Sequence, residues 1–450
     1  MKKPTLVLSG VWLLPTIVFA SDPHLHADQF WAQWRGPRAT GVAPHGDPPL
    51  EWSESKNIRW KVEVPGEGHA TPIIWGDRVY IQTAVKTDKV IESPKPEEPE
   101  KEEGGRRRRM PVLKPTHVYQ FRILAYDRKT GKLVWEKTVR EELPHEGHHE
   151  AGSLASGSPI TDGEHLFAYF GSRGLYAFDM SGKLLWEKDL GDMETRRGFG
   201  EGSSPVIYAD TIVINWDHEG DSFITALDKK TGENRWKMGR DEVTTWATPL
   251  VLEADGKPQV VMPASNRIRS YDLASGALIW ECGGLSRNVI PSPVSDHGLV
   301  YVMSGYRGYA LRAIRYAQAK GDITDTQAVA WTHDDATPYV PSPLLYDDAL
   351  YFLASSKGIL SCFDARTGKE HYGKQRLDEM DGGVYASPVG AKGRVYVTGR
   401  RGVTQVIRHG PTFEVLATNK LDDDFDASAA IVGKELYLRG HKNLYCIAHE

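Results

Sequence analysis

Short apolar runs of four or five residues recur along most of this chain. They are rich in β-branched and aromatic side chains, and Gly and Asp bound them. The clearest unit lies between Gly157 and Trp186. Ser158-Pro159-Ile160 opens a strand, Asp162-Gly163 turns it, and Leu166-Phe167-Ala168-Tyr169-Phe170 forms a second. Ser172-Arg173-Gly174 turns again, Leu175-Tyr176-Ala177-Phe178 is a third, and Leu184-Leu185-Trp186-Glu187 a fourth. The pattern therefore predicts four-stranded antiparallel units, A to D, and no long helix.

Each unit opens on a small residue, Ser or Thr, and Pro. The hydroxyl positions are Thr71, Ser158, Ser204, Thr248, Ser292, Ser342, Ser387 and Ser428, and in the last copy Ala429 replaces the proline. Their intervals are 87, 46, 44, 44, 50, 45 and 41 residues. A period near 45 built from short strands predicts the blades of an all-β, eight-bladed β-propeller. Most units close on Asp-x-x-[Ser/Thr]-Gly-x-x-x-Trp, as in Asp127 to Trp135 and Asp228 to Trp236, with Tyr372 replacing the Trp once and Trp331 following a more irregular connection. There Asp bonds the turn backbone and Gly takes the left-handed conformation. The tryptophans are expected to pack between blades.

The eighth unit reaches Glu450 without a strand D, whereas Asn57 to Val64 reads as a strand D with its Trp60 and no A, B or C before it. Pairing the two completes the last blade and removes two free sheet edges. The expected organisation is a signal peptide over 1–20, an extension over 21–56 and the propeller over 57–450. The signal rests on Lys2 and Lys3, the apolar stretch from Thr5 to Phe19, and Val18-Phe19-Ala20 before Ser21. It implies an exported protein, periplasmic or secreted, with no membrane span after cleavage. No cysteine follows the cleavage site to carry lipid.

The long first interval holds an insertion, 86–116, between strands B and C of blade 1. It is rich in Pro, Glu and Lys and ends in Arg106 to Arg109, too little apolar surface to order itself. It is either a solvated flexible loop or a grip for an anionic partner. Losing Lys2 and Lys3 takes the net charge from −5 to −7, which argues against nucleic acid. Cys282, Cys362 and Cys446 make no disulfide framework and are expected to be buried free thiols.

Leu124 to Trp135, Leu-Ala-Tyr-Asp-Arg-Lys-Thr-Gly-Lys-Leu-Val-Trp, resembles the repeat of the pyrroloquinoline-quinone-like (PQQ-like) propellers. That family includes quinoprotein dehydrogenases and the outer-membrane assembly propeller lipoprotein. The resemblance covers nearly all of the mature chain. It implies either a quinone with Ca²⁺ at the channel mouth or a cofactor-free envelope scaffold. This sequence has no adjacent cysteine pair and no Cys-x-x-Cys-His, so no cofactor is expected; PQQ or a divalent metal is the alternative.

Propeller topology puts the D-to-A and B-to-C loops on one face. Three unusual loops of blades 2 and 3 converge there: His145, Glu146, His148, His149 and Glu150; Arg196, Arg197 and Glu201; and Asp217, His218, Glu219 and Asp221. Imidazole and carboxylate suit a divalent metal, so His145, His148, His149 and His218 are the metal candidates. A ligand site or a plain hydrogen-bonded rim are the other readings. Basic residues at six B-to-C tips, Arg173, Arg267, Arg307, Lys357, Arg401 and Lys442, either attract a small anionic ligand or pair with acidic loops beside them. The residues ahead of the repeated phrase, His69, Ser156, Gly202, Trp246, Ile290, Val340, Tyr385 and Asp426, should rim the channel, with Trp246 and Tyr385 able to stack a planar ligand.

The leading expectation is a monomeric, non-catalytic binding or scaffold protein that holds an envelope protein on its loop-rich face. The alternatives are a quinone- or metal-dependent oxidoreductase with its site at blades 2–3, and a small-ligand sensor.

Overall fold

The computed structural model describes residues 27–91 and 115–449. The proposed signal peptide and most of the insertion lie outside them. Eight antiparallel sheets follow one another around a ring. Blade 1 comprises Ile73–Trp75, Arg78–Val90, His117–Asp127 and Leu133–Glu142, and blade 2 comprises Ile160–Thr161, His165–Tyr169, Leu175–Asp179 and Leu184–Lys188. Blade 8 takes Ala430–Val432, Glu435–Arg439 and Asn443–Ala448 from the end of the chain and Ile58–Glu63 from its start, with Trp60 opposite Cys446. No helix among the described residues is long and apolar enough to cross a membrane.

In blade 1 the second strand runs on to Val90, which pairs with His117. The insertion boundary drawn at 86 therefore falls inside a strand. Lys86 to Val90 is charged, but its backbone continues the ladder. Blade 4 has a fifth member: Gly321–Asp322, from the irregular C-to-D connection of blade 5, pairs in parallel with Leu278–Cys282.

The repeated phrases have distinct mechanical roles. The strand-D tryptophans Trp60, Trp135, Trp186, Trp236 and Trp331 each lie against the turn glycine of the next blade, whereas Trp280 donates to Gln259 of its own blade. A Cβ on Gly131 would meet Trp60 at 2.7 Å, one on Gly232 would meet Trp186 at 2.7 Å, and one on Gly276 would meet Trp236 at 2.7 Å. These glycines also sit at positive φ, +72° for Gly232, so the site excludes a side chain twice over. The indole N–H groups of Trp60, Trp186 and Trp236 donate to carbonyls of the same turns. Within its own blade the aromatic faces a small residue of strand C: Trp135 opposite Ala125, Trp186 opposite Ala177, Tyr372 opposite Cys362. A register shift lies beside each of these pairs. Cys362 and Cys446 occupy this small-residue position, and all three cysteines are buried and free. The hydrophobic clusters accordingly join neighbouring blades: Tyr80 and Phe121 of blade 1 pack with Leu166 and Phe178 of blade 2.

The opening phrase forms a relay around the channel. The hydroxyl of Ser158 accepts the amide N–H of Thr71 at 3.0 Å, and Ser204 accepts that of Ser158 at 2.9 Å. Thr248, Ser292, Ser342, Ser387 and Ser428 continue it, each accepting from the blade before. Seven links result. The eighth, from Ser428 to Thr71, is not made, and the buried Thr71 hydroxyl has no hydrogen bond among the described residues.

The extension before Ile58 crosses the end of the channel away from the loop-rich face. Trp31 bridges to Ile74 of blade 1, and Ala32 O accepts from Thr161 of blade 2. Arg35, 3% exposed, donates to the carbonyls of Pro343 at 2.8 Å and Pro388 at 2.9 Å. Thr40 O accepts from Leu345 of blade 6, and Val42 bridges to Gly390 of blade 7. A segment without periodicity thus forms the floor of the channel, with Trp34 in the wall above it.

Candidate functional site

Above that floor lies an open-mouthed cavity of about 420 Å³. All eight residues expected to rim the channel line it: His69, Ser156, Gly202, Trp246, Ile290, Val340, Tyr385 and Asp426. Each stands just before strand A, so strand direction aims it at the loop-rich end. Tyr306 and Tyr339 join the wall, stacked at 5.0 Å. Trp246 donates its indole N–H to Gly200 O at 2.7 Å, which fixes the ring plane, and Arg400 lies 4.3 Å over the Tyr385 ring.

The three loops of blades 2 and 3 do converge. His149 N donates to Phe199 O, Glu146 accepts from the amide and hydroxyl of Thr195, and Glu219 N donates to Glu194 O. Most of their polar groups are satisfied within this contact. Glu201 accepts from Ser172 N, Ser172 Oγ and Arg173 Nη1 at 2.6–2.9 Å. Glu219 accepts from the Thr244 hydroxyl at 2.8 Å, and Arg196 N donates to the same hydroxyl oxygen. Asp217 and Arg240 form a bidentate pair at 2.7 and 3.1 Å with both side chains fully buried. Burial disfavours both charges, and Asp217 holds the guanidinium charged against it. Burial likewise raises the Glu146 carboxyl above its ordinary value, against the Thr195 bonds.

The candidate metal histidines go separate ways. His145 Nε2 meets Met193 O at 2.8 Å, and His148 Nδ1 meets His149 O at 2.8 Å. His149 Nδ1 accepts from Ala151 N, and buried His218 accepts from Glu194 N. Among the described residues these four form no group able to share an ion; the group that can is His69, Asp426 and His441. Glu150, Arg197 and Asp221 are exposed, Arg197 with a φ of 57°.

That second cluster sits across the mouth, where blade 8 meets blade 1. His441 Nε2 lies 3.0 Å from Asp426 Oδ2 and His69 Nε2 lies 3.9 Å from it, while Arg400 Nε donates to Oδ1 at 2.6 Å. The two imidazoles stack at 5.2 Å. Burial pushes His69 down to about 4, so it is neutral near pH 7. The bond to Asp426 raises His441. Burial opposes the Asp426 charge, yet His441 and Arg400 together hold its carboxyl below the usual range. His69 and Asp426 stand out in the sequence only as rim positions and His441 only as a tip. Their meeting requires the ring to close.

Three of the six basic tips are paired with carboxylates. Arg173 pairs with Glu201, Arg267 with Asp322 and Arg401 with Asp424, at 2.9–3.0 Å. Arg307 lies over Tyr306.

The sequence pattern of the family described as outer membrane protein assembly factor BamB matches residues 120–374, more than half of the chain. The chain belongs to that family. Among solved structures, BamB from Moraxella catarrhalis is 15% identical, with a TM-score of 0.51 over 72% of this chain and 91% of its own. The computationally designed Ika8 protein is 13% identical, with a TM-score of 0.52 over 74% of this chain and 92% of its own. A europium-containing methanol dehydrogenase is 12% identical, with a TM-score of 0.49 over 92% and 90%. The first two likenesses show the propeller fold. No curated protein matches the chain in sequence.

A PQQ site at the channel mouth does not fit these residues. The quinone is a tricarboxylate and calls for cationic or amide donors. Among the described residues no arginine or lysine side chain lines the cavity, and its walls carry Glu201 and Asp426. The cysteines are single and buried in separate strands.

Proposed function

We propose that the protein is an exported binding protein of the cell envelope that holds a partner protein on its loop-rich face, around the mouth of the channel. One observation carries this reading. The polar side chains of blades 2 and 3 that resemble catalytic equipment are mostly spent on internal bonds, whereas the aromatic rings of Trp246, Tyr306, Tyr339 and Tyr385 are presented along the cavity wall. Fixed aromatic rings in a partly desolvated concavity are what protein interfaces use as anchors. A small anionic ligand is the weaker candidate, because carboxylates rather than free cations line the cavity.

The test is native mass spectrometry of the full-length protein purified from its own envelope, beside a Trp246→Ala/Tyr385→Ala variant. A stoichiometric envelope protein that is lost in the variant supports the reading. A bound quinone without a protein partner, accompanied by dye-linked dehydrogenase activity, overturns it in favour of an oxidoreductase.

A further inference from the structure

We infer that His69, His441 and Asp426 form a divalent transition-metal site of the zinc type that joins blade 8 to blade 1 at the channel mouth. Two imidazoles and one carboxylate make a donor set that suits zinc, cobalt, nickel or ferrous iron and disfavours calcium, which takes oxygen ligands. The three ligand atoms lie within 4.8 Å of one another. Tetrahedral bonds of roughly 2.0–2.1 Å put ligand atoms about 3.3 Å apart. The separations from Asp426 Oδ2, 3.0 Å to His441 and 3.9 Å to His69, straddle that value, so small ring rotations complete the set.

The surroundings support the assignment. Arg400 grips both carboxylate oxygens, Nε donating to Oδ1 at 2.6 Å and Nη2 to Oδ2 at 3.3 Å, and so fixes the carboxylate with Oδ2 beside both imidazoles. Such outer partners orient metal-binding carboxylates. His69 and Asp426 line the cavity, so a further coordination position faces water there.

The location gives the site a role. Blade 8 and blade 1 are the one pair of neighbours between which the hydroxyl relay is not continued. An ion held by His69 from one side and by Asp426 and His441 from the other spans that junction.

The experiment uses the full-length protein stripped with a chelator, then titrated separately with Zn²⁺, Co²⁺ and Ca²⁺. Metal content after gel filtration and the visible cobalt spectrum are the readouts. One equivalent of Zn²⁺ or Co²⁺ and no Ca²⁺ is expected, with a rise in melting temperature on adding Zn²⁺. His69→Ala and His441→Ala should weaken binding by more than the roughly 10–100-fold typical of losing an outer-shell partner. His145→Ala and His149→Ala should leave it unchanged. If His69→Ala does not fold, His441→Gln, at an exposed tip, gives the same comparison. No retained metal, equal retention by His441→Gln, or loss of metal in the His145→Ala or His149→Ala variants overturns the site. None of these outcomes bears on the envelope partner, which is read from co-purification.

Discussion

Replacing Ser204 by Ala should cost stability and replacing Thr71 by Val should not, although both hydroxyls occupy the same place in the repeat. The Ser204 hydroxyl accepts the Ser158 amide at 2.9 Å, and both residues are buried. Ser204→Ala leaves that buried N–H without its acceptor, at a cost of about 1–3 kcal/mol. The Thr71 hydroxyl is buried without a partner, at the unmade link. Thr71→Val keeps the shape and removes an unsatisfied polar group, so it should be neutral or stabilising by up to about 1–3 kcal/mol. Urea unfolding followed by the fluorescence of the 13 tryptophans measures both. With a slope of about 3 kcal/mol/M, Ser204→Ala should lower the midpoint by roughly 0.3–1 M, and Thr71→Val should leave it level or raise it. Equal losses in the two variants, or an unchanged midpoint for Ser204→Ala, would refute the idea that the relay is directional and open at one junction.

Three further outcomes are expected. Asp217→Ala leaves a fully buried guanidinium unpaired, so thermal unfolding should register a loss of about 3–5 kcal/mol, much of it recovered when Arg240→Met is added. The turn carboxylates Asp127, Asp179, Asp228 and Asp364 are all held below their ordinary value, Asp228 from 3.8 to about 2, chiefly through side-chain hydrogen bonds from Thr130, Ser181, Arg235 and Thr367 respectively. Their contribution is therefore present above the ordinary value and lost as pH falls toward 2. The melting temperature should drop across that window, less steeply in high salt because the turns are exposed. Deleting residues 22–64 removes the fourth strand of blade 8 and the channel floor together. The truncated protein should melt well below the parent in calorimetry, and an unchanged transition would contradict ring closure by that strand.

The architecture was legible because its determinants are local. Asp, Gly and Trp lie within one turn and one strand, and the glycine reports a contact that only a ring of blades supplies. The missing strand D was legible for the same reason, since Trp60 carries the repeat's own mark. The floor was not, because Arg35 and Trp31 lie in irregular backbone and their partners are fixed only after the ring forms; Arg35 reaches residues more than 300 positions away. Asp217 looked like a free ligand because Arg240, which neutralises it, sits beyond the next two strands. The histidines of the 145–150 loop looked like a metal set because they are close in sequence. Each is instead turned to a backbone atom or a neighbouring carboxylate. The better donor set is divided between the two ends of the chain.

The floor laid by residues 31–42 makes the channel a cup rather than a tube. An occupant that enters between Trp246 and Tyr385 meets that floor and leaves by the same door. Occupancy of the cup and attachment of anything larger across its rim therefore become a single coupled equilibrium: a docked partner acts as a lid on whatever lies beneath, and a tenant standing proud of the rim acts as a wedge against docking.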